Sequence, residues 1–314
     1  MYFDINTSRA RKTFKRLLGQ ANHYLITILV GLDYIKDNDI TVQKEFKTSW
    51  NPKSKESSSI RSREFAIGTT LSWTIDSLDA YLGYCHKKPT LYQDKDLLEK
   101  AGGAGQSADK KFMVLSNHIN ISSIQDFDKY YALTNLAFKW RNRLVHIFAE
   151  NQITQETRDI LTNNEKFYLD NFQGLEIKRL LNRFDNSNTP SFKEITSIVR
   201  AVHKYVELAD GYLLKAIDKE RHFTECLDFH FKLNTEDIND LRQKTARFYN
   251  TPIERRINSL DQTIMNYGFL KVEDPLTKIN ESCISTISNL SFEKAMKFLN
   301  EPDYEKKKAM ILIK

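Results

Sequence analysis

The six residues Arg141-Asn142-Arg143-Leu144-Val145-His146 bring a permanent cation, an amide and a proton-transferring ring together within two helical turns. Histidine, with an ordinary pKa of about 6.5, moves protons near neutral pH. Arginine stays charged and offers a fork of donors to a phosphate. Asn142 and His146 are four positions apart and nearly aligned on a helix, so Asn142 can orient His146. Arg141 lies about 140° from His146 around an ideal helix, yet its long side chain can reach an anionic phosphate lying across it. The trio suits RNA cleavage through the ribose 2′-hydroxyl, which needs a proton moved at that oxygen or at the leaving oxygen, and compensation of charge on the phosphoryl group. One helix supplies one histidine, so complete acid and base catalysis needs water, another residue or a second copy across a two-fold axis. Arg141, Asn142 and His146 are therefore candidate catalytic residues, and the neighbouring cations Arg143 and Lys139 are candidate RNA contacts.

The elements that must position this segment read as helices. Between about Ser123 and Phe148, Leu133, Leu136, Trp140, Leu144 and Ile147 recur at helical spacing and form the face to be buried. A first long helix is expected from about Ser8 to Leu32, with Phe14, Leu17, Ala21, Leu25, Ile28 and Leu32 as its stripe. From Glu64 to Cys85, Ile67, Leu71, Ile75, Leu78 and Leu82 share one face; beside them Asp76 and Asp79 point one way, either bordering a cleft or meeting solvent and arginines. A shorter helical piece lies near Leu175 to Phe184. Ser191 and Glu194 match a capping box, opening a helix to about Ile217 that buries Ile195, Ile198, Val202, Val206, Ala209 and Leu213. Beyond Glu220 come shorter helices started by Thr235, Pro252 and Ser291, and no convincing β-alternation appears. The fold class expected is all-α, with residues 1–220 as the main domain and 221–314 as an accessory helical region.

Composition agrees with a helical protein: 314 residues carry only 10 Gly and 6 Pro, with 40% hydrophobic residues. The formal charge of +6 assists contact with phosphates without demanding it. Cys85, Cys226 and Cys283 are odd in number and far apart, which implies neither a disulfide framework nor a paired zinc motif and fits a reducing cytosol. No apolar run spans a bilayer, and the start lacks the apolar core of a signal peptide, so neither membrane insertion nor export is expected. Ala101 to Gly105 lacks the Gly-Lys-Ser/Thr of a phosphate-binding loop and reads as linker. The basic segment Lys44 to Arg63, with Pro52 and Ser57 to Ser59, reads as a loop; with Trp50 it is either a nucleic-acid contact or a solvated surface. His222, Cys226 and His230 share a helix face, but three ligands along two turns do not readily close a tetrahedron, so no metal site is assigned.

The segment Arg141 to His146 matches the Arg-x4-His signature of HEPN-domain proteins, in the form with a polar residue after the arginine. The stretch Leu71 to Leu82 resembles the second long helix of several HEPN groups, and Glu194 to Ile217 the helix after the motif, so the resemblance covers about Ser8 to Glu220. It implies a HEPN-like helical bundle, metal-independent endoribonuclease activity without a cofactor, and an active cleft formed by motifs from two subunits. By it, Arg141 and His146 are catalytic and Asn142 supports them. The second helix packs beside the motif helix in such a bundle, so Asp76 or Asp79 can present a carboxylate there, and Asp79 is counted with the catalytic candidates. Some HEPN toxins carry a modifiable tyrosine two residues after the histidine; here Phe148 stands in that place. The implied setting is a cytoplasmic homodimeric toxin or antiphage effector cutting RNA, tRNA among the candidates, with an inhibitor or antitoxin protein as a further partner. The competing reading is a non-catalytic helical module that binds a protein, RNA or nucleotides.

Overall fold

The computed structural model describes residues 1–38, 52–102, 106–119, 124–145, 151–273 and 279–311. In chain order these form strand β1 (Tyr2–Ile5), then helices α1 (Arg9–Leu18), α2 (Ala21–Asp37), α3 (Lys55–His86), α4 (Lys95–Gly102), α5 (Ala108–Ile119) and α6 (Phe127–Val145). There follow α7 (Gln155–Asn163), α8 (Glu165–Asn171), α9 (Ile177–Asp185), α10 (Phe192–Ala216), α11 (Lys219–Lys232), α12 (Ile238–Tyr249) and α13 (Ile253–Tyr267). Strand β2 (Phe269–Val272) and helices α14 (Ser282–Ser288), α15 (Phe292–Asn300) and α16 (Tyr304–Ala309) complete the described chain. Among the described residues the fold is all-α apart from one two-stranded sheet. No helix among the described residues is long and apolar enough to cross a membrane.

The chain packs into two compact units, divided differently from a break at Glu220. One gathers Met1–Thr13, Tyr81–Gly105 and Ala209–Lys314; the other gathers Phe14–Ala80 and Gln106–Leu208. Three of the four divisions fall inside α1, α3 and α10, where helix continuity in the sequence conceals them; the fourth falls at Gly105/Gln106, between α4 and α5. In the first unit β1 pairs antiparallel with β2, Tyr2 opposite Val272 and Ile5 opposite Phe269. Phe3, Phe223 and Phe269 meet beneath this pair. The buried carboxylate of Asp210 accepts from both the backbone N–H and the hydroxyl of Ser8, which in turn accepts from the Arg11 N–H and starts α1.

In the second unit an aromatic cluster ties α5, α6 and α10 together. Phe112 lies 5.2 Å from Tyr131, 5.0 Å from Phe138 and 4.7 Å from Tyr205 between ring centroids. Tyr205 also packs on Phe127, and its hydroxyl is 2.8 Å from that of Ser116. The capping box at α10 forms as expected, with Glu194 N–H donating to Ser191 Oγ and Ser191 N–H to the Glu194 carboxylate. All six residues expected on the buried face of α10 are buried.

Three expectations change. The first long helix is two, broken at Gly19-Gln20, where a Cβ on Gly19 would lie 2.5 Å from the Lys15 carbonyl oxygen. The buried stripe accordingly runs through Phe14, Leu18, Ala21, Leu25 and Leu29, while Ile28 is exposed. The basic segment is helical from Lys55, because Ser54 caps α3 by accepting from Ser57 N–H; its part from Lys44 to Asn51 lies outside the described residues. Residues 103–105 of the linker also lie outside them.

His222 and Cys226, imagined as metal ligands, are core residues of the first unit. His222 is 3% exposed, its ring stacked 6.0 Å from Phe269. Burial pushes its pKa down to about 4, against an opposing hydrogen bond to the Thr90 backbone. The ring is neutral when folded, whereas an unfolded chain protonates it below about pH 6.5. Its contribution to stability is therefore complete above pH 6.5 and declines as pH falls toward 4, by up to roughly 3 kcal/mol. Urea unfolding at pH 7 and pH 4.5 is expected to show that loss, and His222→Phe to reduce it; an unchanged difference would contradict the assignment.

Candidate active site

Helix α6 turns its buried face, from Phe127 through Tyr131, Leu133, Leu136 and Phe138 to Trp140, into the second unit. Trp140 fixes the far end, donating its Nε1–H to the Asn188 carbonyl at 2.9 Å and meeting the Phe184 ring edge-on at 5.8 Å. The next residue, Arg141, is thereby held where the helix surface opens, with its side chain 25% exposed.

Arg141 reaches across to α3. Its Nη2 donates to Asp76 Oδ1 at 3.3 Å, and its Nη1 donates to Asn142 Oδ1 at 3.2 Å. The Nε–H is buried without a partner among the described residues. A guanidinium has five N–H donors, so this one keeps capacity for an anion. Asp76 is 63% exposed, and an ion pair this open contributes at most about 1 kcal/mol. The pair therefore orients the guanidinium more than it stabilises the fold. Asn142, expected to align His146, is engaged with Arg141.

The carboxylate that meets Arg141 is Asp76 and not Asp79. Asp79 instead receives Lys111 of α5 at 2.9 Å, while Lys139 of α6 donates to Asp109 of α5 at 2.6 Å. Asp109 and Lys111 are two residues apart, about 200° around α5, so they face opposite neighbours. Three ion pairs thus tie α3, α5 and α6 together around the Arg141 position. Nothing in the local spacing of Asp109 or Lys111 signals these partners.

Neither cation proposed to contact RNA is unengaged. Lys139 is held by Asp109 as described. Arg143 donates from Nε to the Asn151 carbonyl at 2.7 Å and from Nη1 to the Phe184 carbonyl at 2.6 Å, with its guanidinium 3.9 Å above the Phe184 ring. It ties the end of α6 to α9 and to the chain entering α7. His146, and with it the 147–150 stretch that includes Ile147 and Phe148, lies outside the described residues. Leu144 is half-buried and Val145 exposed, so the buried face of α6 ends with Trp140.

Arg143→Ala removes two charge-assisted hydrogen bonds and a cation–π contact, and is expected to cost roughly 2–3 kcal/mol in denaturant unfolding. A change below about 0.5 kcal/mol, the size of an ordinary surface substitution, would contradict this structural role. No protein-family model, curated protein or solved structure matches the chain.

Proposed function

We propose that the protein is a HEPN-like, metal-independent endoribonuclease acting as a homodimer, with Arg141 neutralising the scissile phosphate and His146 moving the proton at the 2′-hydroxyl or the leaving oxygen. The observation that carries the reading is the guanidinium of Arg141, held at the surface by Asp76 and Asn142 with donor capacity left over. An incoming phosphodiester, whose two non-bridging oxygens suit the guanidinium fork and whose negative charge grows in the transition state, competes for the same donors. Asp76 replaces Asp79 as the second-helix carboxylate of the site, and Arg143 and Lys139 act by fixing α6 rather than by touching RNA. The setting is that of a toxin or antiphage effector in the cytoplasm, with RNA, tRNA included, as substrate and an inhibitor protein as a further partner.

The dimer reading has its own support. Helix α2 is apolar on several sides, yet only Ala21, Leu25 and Leu29 are buried, leaving Tyr24, Ile28 and Val30 exposed. A helix apolar around its circumference is ordinarily covered. Tyr24 and Ile28 line an open groove of about 570 Å³ with Phe65 and Trp73 of α3, and none of its lining residues is charged. Trp73 lies three positions before Asp76 on α3, so a second copy packed there would approach the Arg141–Asp76 pair. A second copy is one of the ways in which the acid and base roles are completed.

The test is the initial rate of RNA cleavage by folded variants. Arg141→Ala and His146→Ala are each expected to lower it by about 10²-fold or more. Asp76→Asn should lower it by about tenfold, and Asp79→Asn by much less, since only the former loosens Arg141. Phe65→Glu should shift the protein toward monomer in sedimentation and lower cleavage with it. Cleavage that survives both Arg141→Ala and His146→Ala would end the proposal.

A further inference from the structure

A second cleft in the same unit shares no residue with the Arg141 site. It has a volume of about 460 Å³ and lies between α2 and the first half of α10, beside the chain that follows α8. That volume is within the range of small-molecule pockets, which combine apolar walls with a few convergent polar groups. The walls here are Ile26, Val199 and the rings of Phe172 and Phe192, the last 38% exposed.

Three polar groups in the cleft lack a hydrogen-bond or ion-pair partner among the described residues. Asn22 Oδ1 is buried with no hydrogen bond among the described residues. Ser197 is 5% exposed, and its hydroxyl makes no hydrogen bond among the described residues. Arg200 has no carboxylate partner among the described residues; its guanidinium is held 5.4 Å above the Phe172 ring. Buried polar groups are almost always paired, so a buried acceptor without a donor, beside an unpaired hydroxyl, points to a missing occupant. No acidic residue lines the cleft, so its one formal charge is the arginine and an anion would meet no repulsion there.

We propose that this cleft binds a small anionic ligand with a flat, hydrogen-bonding ring, the chemistry shared by mononucleotides and heteroaromatic carboxylic acids. The ring lies against Phe192, the Asn22 side-chain amide, turned toward the cleft, and the Ser197 hydroxyl hydrogen-bond its edge, and the phosphate or carboxylate takes the Arg200 fork. A neutral or cationic ring would leave the arginine unmatched. The inference stands apart from the ribonuclease reading, because it uses none of that site's residues.

Isothermal titration of the full chain with adenosine 5′-monophosphate and, separately, with orotate tests it, with circular dichroism of each variant as the control for folding. At least one probe is expected to bind with a Kd below about 1 mM. Arg200→Gln should weaken that binding by about tenfold or more, and Arg200→Lys, which keeps the charge without the fork, by less. Binding of the nucleotide alone assigns the site to phosphates, of orotate alone to carboxylates, and of both to either anion. Absence of binding by both probes, or binding that Arg200→Gln leaves unchanged, would overturn the proposal.

Discussion

The placement of Arg141 depends on the aromatic packing that holds α6. Phe112, Tyr131, Phe138 and Tyr205 interlock α5, α6 and α10, and Trp140 locks the end of α6 against Phe184 and the Asn188 carbonyl. Large buried rings tolerate little rotation or sliding, because close-packed interiors have few voids into which they can move. The residue after Trp140 therefore has a defined direction. Its guanidinium emerges beside α3, and the neighbouring Lys139–Asp109 and Asp79–Lys111 pairs hold the same three helices from the side of α5.

This arrangement separates two kinds of arginine within three residues. Arg143 points back into the unit, where two carbonyl oxygens and the Phe184 ring occupy its fork. Arg141 points outward, with an exposed carboxylate and a neighbouring amide as its partners and a buried Nε–H that has none among the described residues. Polar groups left unpaired in a folded protein are uncommon and concentrate where ligands or reactions are accommodated. The difference in satisfaction, rather than the presence of charge, distinguishes the candidate catalytic residue from its structural neighbour.

Helical periodicity made much of this legible in the sequence. It located α6 and α10, the buried face of α10 and that of α6 as far as Trp140, and the capping box that starts α10. It did not register the break at Gly19, since Phe14, Leu25 and their neighbours keep a helical rhythm across it. The serines near Ser57 read as loop because their propensity is turn-like, whereas in the protein Ser54 is a cap and the rest continue α3. The β1–β2 pair joins residues 2–5 to residues 269–272, and four-residue strands are too short for alternation to stand out. Periodicity also placed Asp76 and Asp79 together, and on the sequence Asp79 counts with the catalytic candidates whereas in the fold Asp76 meets Arg141, because the choice rests on the axial offset of α3 against α6. For the same reason the carbonyl oxygen of Phe184, 41 positions beyond Arg143, left no local trace of the bond they make.

The central claim is that the Arg141 segment cleaves RNA by using the ribose 2′-hydroxyl as nucleophile, which fixes the chemistry of the product ends independently of which RNA is cut. The most direct measurement is therefore incubation of the purified full chain with total RNA and with tRNA in excess chelator, followed by identification of the newly formed termini. The account predicts chelator-resistant cutting that leaves 2′,3′-cyclic phosphates and 5′-hydroxyls. Cutting that stops in chelator, ends bearing 3′-hydroxyls, or no cutting by folded dimeric protein would contradict it.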